Sequence, residues 1–151
     1  MEDSDRREIR ERAVRLLARR EHSRHELRAK LLRREQDEAA VDEVLAELAD
    51  ERLLSDQRFA EAYVRARYGQ GHGPLKIRAE LQQRGVDDSL AAPEVNAYAD
   101  DWAALAVSVR RRRFGGGAPA DLRERQRQYR YLAGRGFTSE QIRHAFEDGQ
   151  D

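Results

Sequence analysis

The feature that most constrains this chain is a short motif that occurs twice, 51 residues apart. Arg84-Gly85-Val86-Asp87 and Arg135-Gly136-Phe137-Thr138 share the order basic residue, glycine, apolar residue and helix-capping residue. Such a run is typical of a helix that ends in a left-handed turn and is followed at once by another helix. An earlier segment, Arg34-Glu35-Gln36-Asp37, fits the same register but lacks the glycine. A period near 50 residues predicts tandem copies of one structural unit.

Apolar residues at helical spacing predict three helices in each unit. Alanine and leucine dominate the apolar residues, and no window alternates cleanly between apolar and polar residues, so we expect no strand. Predicted inward faces include, in the first helix, Ile9, Ala13, Leu16 and Leu17, in the seventh, Trp102, Leu105, Ala106 and Val109, and in the eighth, Leu122, Tyr129 and Leu132.

Capping residues predict where several helices begin. Ser23-Arg-His-Glu26 and Thr138-Ser-Glu-Gln141 are capping boxes, which begin the second and ninth helices. Asp101 or its neighbour Asp100 is expected to cap the seventh helix, and Pro119 to open the eighth. Pro93 lies inside the sixth predicted helix, which we therefore expect to be short or kinked.

These patterns together predict an all-α fold, an elongated and curved array of three tandem three-helix repeats. The predicted repeats comprise residues 1–54, 55–99 and 100–151. One unit of this size buries little apolar surface by itself, so the stacking of neighbouring units must supply the core.

Charge is neutral overall but strongly segregated along the chain. The chain has 29 basic and 29 acidic residues, and 38% of its residues are charged. Residues 6–34 are strongly basic, residues 37–61 strongly acidic, and residues 101–136 basic again. Such blocks indicate internal electrostatic docking, a surface for a polyanion, or both.

The chain lacks the residues that several classes of function require. The chain has no cysteine and no apolar run long enough to span a membrane, and its first 20 residues do not resemble a signal peptide. We therefore expect a cytoplasmic protein that is not an enzyme and has no catalytic, cofactor-binding or metal site. The four histidines are expected at the surface: His22, His25, His72 and His144. The glycine-rich stretch 69–73 lacks the end of a phosphate-binding loop and is interpreted as an inter-helix hinge.

Basic residues beside the predicted apolar faces are the candidates for binding. Arg110 opens a run of four arginines at the end of the seventh helix, and arginines recur at helical spacing on the eighth. Arginine side chains bind phosphates and carboxylates, although a GC-rich coding bias equally explains arginine in place of lysine. The selected interface residues are Arg24, Arg28, Lys76, Arg78, Arg110, Arg111, Arg123 and Arg127.

The second unit carries the pattern that is most specific to one family. It contains Asp56-Gln-Arg-Phe59-Ala60-Glu-Ala-Tyr63-Val64-Arg65-Ala-Arg67, and then Gly69, Gly73, Ile77, Leu81 and Gly85-Val86. Upstream residues Leu16, Leu17, Ser23, Glu26 and Leu27, and downstream residues Trp102 and Arg112-Arg113-Phe114-Gly115, extend the pattern. In order and spacing the chain resembles the RecX family, bacterial regulators of the RecA recombinase, over residues 9–146.

The resemblance implies three tandem three-helix repeats and a regulatory function. RecX-like proteins bind in the groove of the RecA–single-stranded DNA filament and inhibit its ATPase, recombinase and coprotease activities, which connects them with homologous recombination, DNA repair and the SOS response. The implied partners are therefore the RecA filament and single-stranded DNA, contacted directly or through RecA, and we expect the chain to act as a monomer. Two alternatives stay open, a helical DNA-binding module that acts without RecA and a protein scaffold.

Overall fold

The computed structural model describes residues 2–35 and 37–147, with the side chains of the first two of these excepted. The described residues form nine α-helices and no strand, which confirms the all-α prediction. The helices are α1 (Glu2–Arg19), α2 (Arg24–Leu32), α3 (Glu38–Asp50), α4 (Asp56–Gly69), α5 (Pro74–Gln83), α6 (Asp88–Asn96), α7 (Trp102–Phe114), α8 (Leu122–Gly134) and α9 (Ser139–Glu147).

Both predicted capping boxes are present. The Ser23 hydroxyl accepts the Glu26 amide at 3.1 Å, and the Ser23 amide donates to the Glu26 carboxylate at 3.2 Å. The reciprocal pair between Thr138 and Gln141 closes the start of α9 at 3.2 and 2.9 Å. Each box satisfies amides that a helix start leaves without partners.

One predicted cap and one predicted helix start differ from the structure. Asp101 precedes α7, but its side chain makes no capping hydrogen bond, because its φ of −108° and ψ of −17° do not give the extended backbone that a capping residue needs. Helix α8 begins at Leu122 and not at Pro119, because the Asp121 carboxylate accepts the Glu124 amide at 2.8 Å and fixes the first turn there. The short sixth helix is confirmed, with Pro93 inside it.

Two compact units make up the described fold. The first contains residues up to Ala62 together with Leu81–Ala91, and the second contains Tyr63–Glu80 and the residues from Ala92 onward. The chain therefore passes between the units within three continuous helices, α4, α5 and α6. The middle three-helix group contributes to both units.

The core of the first unit forms where α1, α2 and α3 pack against one another. Leu27 and Leu31 of α2 and Leu45 and Leu48 of α3 are fully buried, and Ile9 and Ala13 of α1 belong to the same cluster. Leu16 and Leu17 are partly buried against the same cluster. The predicted inward face of α1 is confirmed, because its offsets of four and seven residues place these side chains on one side of the helix.

The core of the second unit forms mainly between α7 and α9, with α8 packed on both. Ala106, Leu132 and Phe146 are fully buried in it. A cluster of three aromatic rings lies in the same unit, with Tyr98 stacked on Tyr68 at 4.8 Å and Trp102 at 5.3 Å from Tyr68. The Trp102 indole donates to the Val95 carbonyl at 3.1 Å, so its polar atom is satisfied.

The repeated Arg-Gly motif has the same packing role in both copies. In the first unit the Ser23 hydroxyl donates to the Arg84 carbonyl at 2.7 Å, and a Cβ on Gly85 would lie 2.4 Å from the His25 Cβ. In the second unit the Gly73 amide donates to the Arg135 carbonyl at 2.7 Å, and Gly136 lies against Lys76 in the same way.

Both motif glycines have positive φ, +77° and +99°. Glycine is required twice over at these positions, since the backbone is left-handed and no space exists for a side chain. Each motif therefore places the turn after one middle helix against the start of another.

Candidate interaction surfaces

The two candidate residues on α2 differ in how far they are already paired. Arg24 is exposed, and its backbone amide donates to the Asp56 carboxylate at 2.8 Å. Arg28 makes a two-point ion pair with Asp42, at 2.8 and 3.4 Å, and lies 3.7 Å from Glu38. The hydrogen bonds of this pair raise the pKa of Arg28 and lower the pKa of Asp42. Arg24 is thus the cation of α2 that is better placed for an external partner.

The acidic block of α3 is the internal partner of the basic block of α1. Arg6 pairs with Glu43 at 3.5 Å and also with Glu47, and Arg10 donates to Glu51 at 2.6 Å. These pairs are half exposed, so they orient the helices more than they stabilise them. The docking function predicted from the charge blocks is therefore present within the first unit.

Arg110 is not a surface residue, so its assignment to the interface is wrong. Its side chain is 1% exposed and lies 4.8 Å from the centre of the Phe146 ring. The guanidinium donates to the Gln128 amide oxygen at 3.0 Å and to the Gly117 carbonyl at 2.6 Å. Burial lowers the Arg110 pKa, and the charges of Arg125 and Arg111 lower it further. Four consecutive arginines encircle a helix, so one of them must face inward. The inward one is Arg110, because the Gln128 amide oxygen and the Gly117 carbonyl accept its hydrogen bonds.

The end of α7 and the adjacent face of α8 form a surface rich in arginine and aromatic rings. Arg113 lies 5.1 Å from the Tyr131 ring, and Phe114 meets Tyr131 edge to face at 5.3 Å. A cavity of about 290 Å³ opens beside them and is also lined by Arg112 and Arg135. This α7–α8 surface offers guanidinium and ring faces together, a combination that suits nucleic-acid bases and phosphates.

Apart from the buried Arg110, the candidate residues of α7 and α8 are exposed. Arg111 and Arg123 are both exposed. Arg127 makes a two-point ion pair with Glu124 at 2.9 and 2.8 Å, and lies 5.2 Å from the Phe114 ring. The hydrogen bond from Arg127 lowers the pKa of Glu124 to about 2, so this carboxylate stays charged. An external anion at Arg127 competes with Glu124.

The remaining candidates lie on α5. Arg78 is exposed, and Lys76 is half-buried because its main chain and Cβ support the Gly136 turn. Two of the eight candidates lie in the first unit and six in the second.

Two side chains of the predicted α8 face are exposed. Tyr129 is 41% exposed and Leu122 69% exposed, whereas Gln128 and Leu132 are buried. Gln128 takes the inward position because its amide is the partner of Arg110. The prediction that Tyr129 lies in the core is wrong, since a polar pair occupies the place that periodicity assigns to an apolar residue.

His22 is buried, contrary to the prediction of a surface histidine. It is 1% exposed, with Nδ1 at 3.0 Å from the Arg20 carbonyl and Nε2 at 2.8 Å from the Lys30 ammonium. A carbonyl can only accept and an ammonium can only donate, so the ring is neutral, with its hydrogen on Nδ1. Burial lowers the pKa of His22, and it lowers the pKa of Lys30 as well.

The glycine-rich stretch interpreted as a hinge is tied to the second unit. Arg135 donates through Nε to the Gly71 carbonyl at 3.2 Å and through Nη2 to the Gln70 carbonyl. The Leu75 amide donates a hydrogen bond to the Gly136 carbonyl at 2.9 Å. The stretch therefore packs against the second motif glycine as part of a defined turn.

Sequence reasoning missed one group of cations in the first unit. Arg12, Arg15 and Arg19 of α1 line a cavity of about 440 Å³ together with the basic residues that end α2. Their offsets of three and seven residues place them on one helix face, a signal that was present in the sequence.

Two features are absent from the described part of the chain, a metal-ligating cluster and a membrane-spanning helix. Residues 2–35 and 37–147 bring no three metal-ligating side chains together. Among the helices in those ranges, none combines the length and apolar character that crossing a membrane requires.

Comparisons with known proteins agree with the repeat pattern. Family models described as the first, second and third three-helix domains of RecX match residues 10–48, 55–92 and 99–146. Regulatory protein RecX of Halorhodospira halophila is 51% identical over 91% of this chain and 85% of its own length. Regulatory protein RecX of Chromohalobacter salexigens is 48% identical over 88% of this chain and 87% of its own.

A solved structure shows the same fold. The crystal structure of RecX from Lactobacillus salivarius has a TM-score of 0.83 to this chain, covers 97% of both chains and is 23% identical in sequence. Three three-helix domains in tandem are thereby confirmed, while the exact boundaries at residues 54 and 99 stay a prediction.

Proposed function

The chain belongs to the RecX family, and on that basis we propose that it binds a filament of RecA on single-stranded DNA and inhibits the recombinase, ATPase and coprotease activities of that filament. It acts as a monomer in the cytoplasm and performs no chemistry itself. The observation that carries this proposal is the presence of all three RecX domains, in order, over residues 10–146.

The distribution of charge supports binding to a polymer by several weak contacts. Basic residues are exposed on α2 in the first unit and on α5, α7 and α8 in the second. Contacts in series on one partner add through effective concentration, so each of them can be weak. We assign external contacts to Arg24, Arg78, Arg111 and Arg123, whose side chains are exposed. Arg28 and Arg127 contribute only when a partner displaces the carboxylate that each now pairs with.

The direct test is the ATP hydrolysis of RecA from the same organism on single-stranded DNA, titrated with this protein. We expect hydrolysis to be lost at protein levels well below those of RecA, because blocking or bridging a polymer affects many protomers at once. Loss only near equimolar protein would show one-to-one binding to protomers or competition for DNA. Unchanged hydrolysis by the folded protein would refute the proposal.

Charge reversal at exposed positions tests the assigned surface. Arg111→Glu combined with Arg123→Glu is expected to weaken inhibition about tenfold or more, since both groups are exposed on the two helices that carry the α7–α8 surface. The matched control is Arg7→Glu with Arg143→Glu, which makes the same change in net charge at exposed positions elsewhere. Equal effects of the two pairs would show that only net charge matters and would remove this surface from the interface.

The alternative of a DNA-binding module that acts without RecA makes a different prediction. It requires salt-dependent DNA binding together with unchanged RecA hydrolysis at every protein level. The two activities are therefore measured separately on the same preparations.

A further inference from the structure

A cleft in the first unit is lined by six cations and, among the described residues, by no carboxylate. It is lined by Leu16 and by the basic residues Arg12, Arg15, Arg19, Lys30, Arg33 and Arg34, and has a volume of about 440 Å³. The α1 side runs about 10 Å from the first to the last of its arginines, at 1.5 Å per residue. All of these residues lie within the first compact unit.

The charge of the cleft is not neutralised by the hydrogen bonds that shape it. Arg12 donates to the carbonyls of Lys30 and Leu31, at 2.6 and 3.1 Å. Lys30 donates to the neutral ring of His22 at 2.8 Å. These acceptors carry no charge, so they orient the cations without cancelling them.

Two other arginines of α1, outside the cleft, form ion pairs with carboxylates. Arg6 and Arg10, in the N-terminal half of α1, form ion pairs with glutamates of α3. The acidic block of α3 thus neutralises one end of α1, while the cleft lies at the other. The negative ends of the α1 and α2 dipoles account for Arg19 and for the cations at the end of α2, but not for the exposed Arg15.

Burial and neighbouring cations both lower the pKa of two residues of the cleft, Arg12 and Lys30. Burial lowers the pKa of Arg12, the charge of Arg34 lowers it further, and Glu35 opposes these effects. The pKa of Lys30 is lowered by burial and then by Arg20. Holding like charges together costs free energy, which a bound polyanion recovers.

We propose that this cleft binds the phosphodiester backbone of single-stranded DNA directly, without RecA. Arginine forks match phosphate oxygens at two points, a flexible strand can follow a short groove, and the half-buried Leu16 offers an apolar contact for a sugar. The choice of DNA among polyphosphates rests on the proposed function. The cleft shares no residue with the α7–α8 surface, and none of its residues is among those assigned above to external contacts.

The test is fluorescence anisotropy of a labelled oligothymidylate titrated with the full-length protein over a range of salt concentrations, with no RecA present. Six cations limit the slope of log affinity against log salt to about −4, at about 0.7 per phosphate on single strands. Arg15→Gln with Arg19→Gln is expected to make the slope shallower by about 1.4 and to weaken binding about 25-fold near 0.1 M salt. Glutamine at these exposed helical positions keeps helix propensity and relieves repulsion, so the variant is expected to fold.

The control variant is Arg7→Gln with Arg143→Gln, which removes the same charge from exposed positions outside the cleft. A loss confined to the cleft variant supports the proposal. Equal loss in both variants, or no loss in either, overturns it. In a competition experiment, the proposal is also overturned if polyglutamate displaces the labelled DNA as effectively as unlabelled oligothymidylate does at the same concentration of negative charge. If the wild-type protein does not bind DNA alone but still inhibits RecA hydrolysis, the cleft proposal fails while the proposed function stands.

Discussion

Replacing Arg110 by alanine is the sharpest test of the packing described for the second unit. Arg110 is 1% exposed, and its neutral partners are the Gln128 side chain, the Gly117 carbonyl and the Phe146 ring. Its replacement leaves the buried Gln128 oxygen without this donor, which costs about 1–3 kcal/mol. The lost contact with the ring adds about 0.5–2 kcal/mol. The exposed Gly117 carbonyl regains water, and release of a buried charge offsets part of the cost.

The expected result is a decrease of about 3 kcal/mol in the free energy of unfolding. For a chain of this length, that corresponds to a melting temperature lower by about 6–12 °C. Urea unfolding followed by the fluorescence of Trp102 measures the free energy of unfolding of the second unit. This buried residue is the chain's one tryptophan and lies in the same unit as Arg110. Far-ultraviolet circular dichroism on the same samples reports all helices together.

The matched control is Arg111→Ala, the neighbouring arginine on the exposed side of α7. Surface replacements of this kind change stability by about 0.5 kcal/mol or less. A difference below about 0.5 kcal/mol between the two variants would refute the buried network. A double-mutant cycle with Gln128→Ala adds a second criterion, since residues in contact couple by about 0.5–3 kcal/mol and independent ones do not.

Two further substitutions test the motif turn and the buried histidine. Gly136→Ala is expected to destabilise the fold by about 2–4 kcal/mol, because the φ of Gly136 is +99° and a Cβ would lie 2.4 Å from the Lys76 Cβ. The control Gly134→Ala is expected to stabilise it by about 0.5–1 kcal/mol, because a Cβ there meets nothing within 4 Å. Equal melting temperatures of the two variants in calorimetry would contradict this prediction. His22 has a lowered pKa in the fold, so the unfolded chain takes up its proton first as the pH falls through about 6.5, and stability decreases in that range. His22→Asn is expected to flatten the change in urea midpoint between pH 7.5 and 5.5, with His144→Asn as the exposed control, and an unchanged slope would show that His22 does not carry it.

Local structure was predictable from the sequence where neighbouring residues determine it. The capping box at Ser23 depends on a residue three positions along the chain, and the Gly85 turn on the φ that glycine permits. Helix-forming composition and apolar spacing predicted an all-α chain for the same reason, since side chains four residues apart meet on one helix face. The 51-residue repeat of the Arg-Gly motif likewise predicted tandem domains.

The candidate interface was only partly predictable, because charge identity does not determine direction. Arg110 and Arg111 are adjacent and chemically identical, yet one is buried and the other exposed. About 100° of rotation separates them on the helix, and the acceptor that selects the inward one, Gln128, lies 18 residues away along the chain. The prediction for Tyr129 failed for the same reason, since Gln128, the partner of Arg110, occupies the inward position of α8.

What the sequence determined by itself is the set of helices, several of their ends and their grouping in threes, because short-range hydrogen bonds and helical periodicity control these features. Tertiary structure alone decided which cations are available. It pairs Arg6 with the glutamates of α3, buries Arg110 and places Arg15 in a cleft lined by six cations. The physical reason is that an ion pair or a buried charge depends on where distant segments meet, and no spacing within one segment encodes that distance.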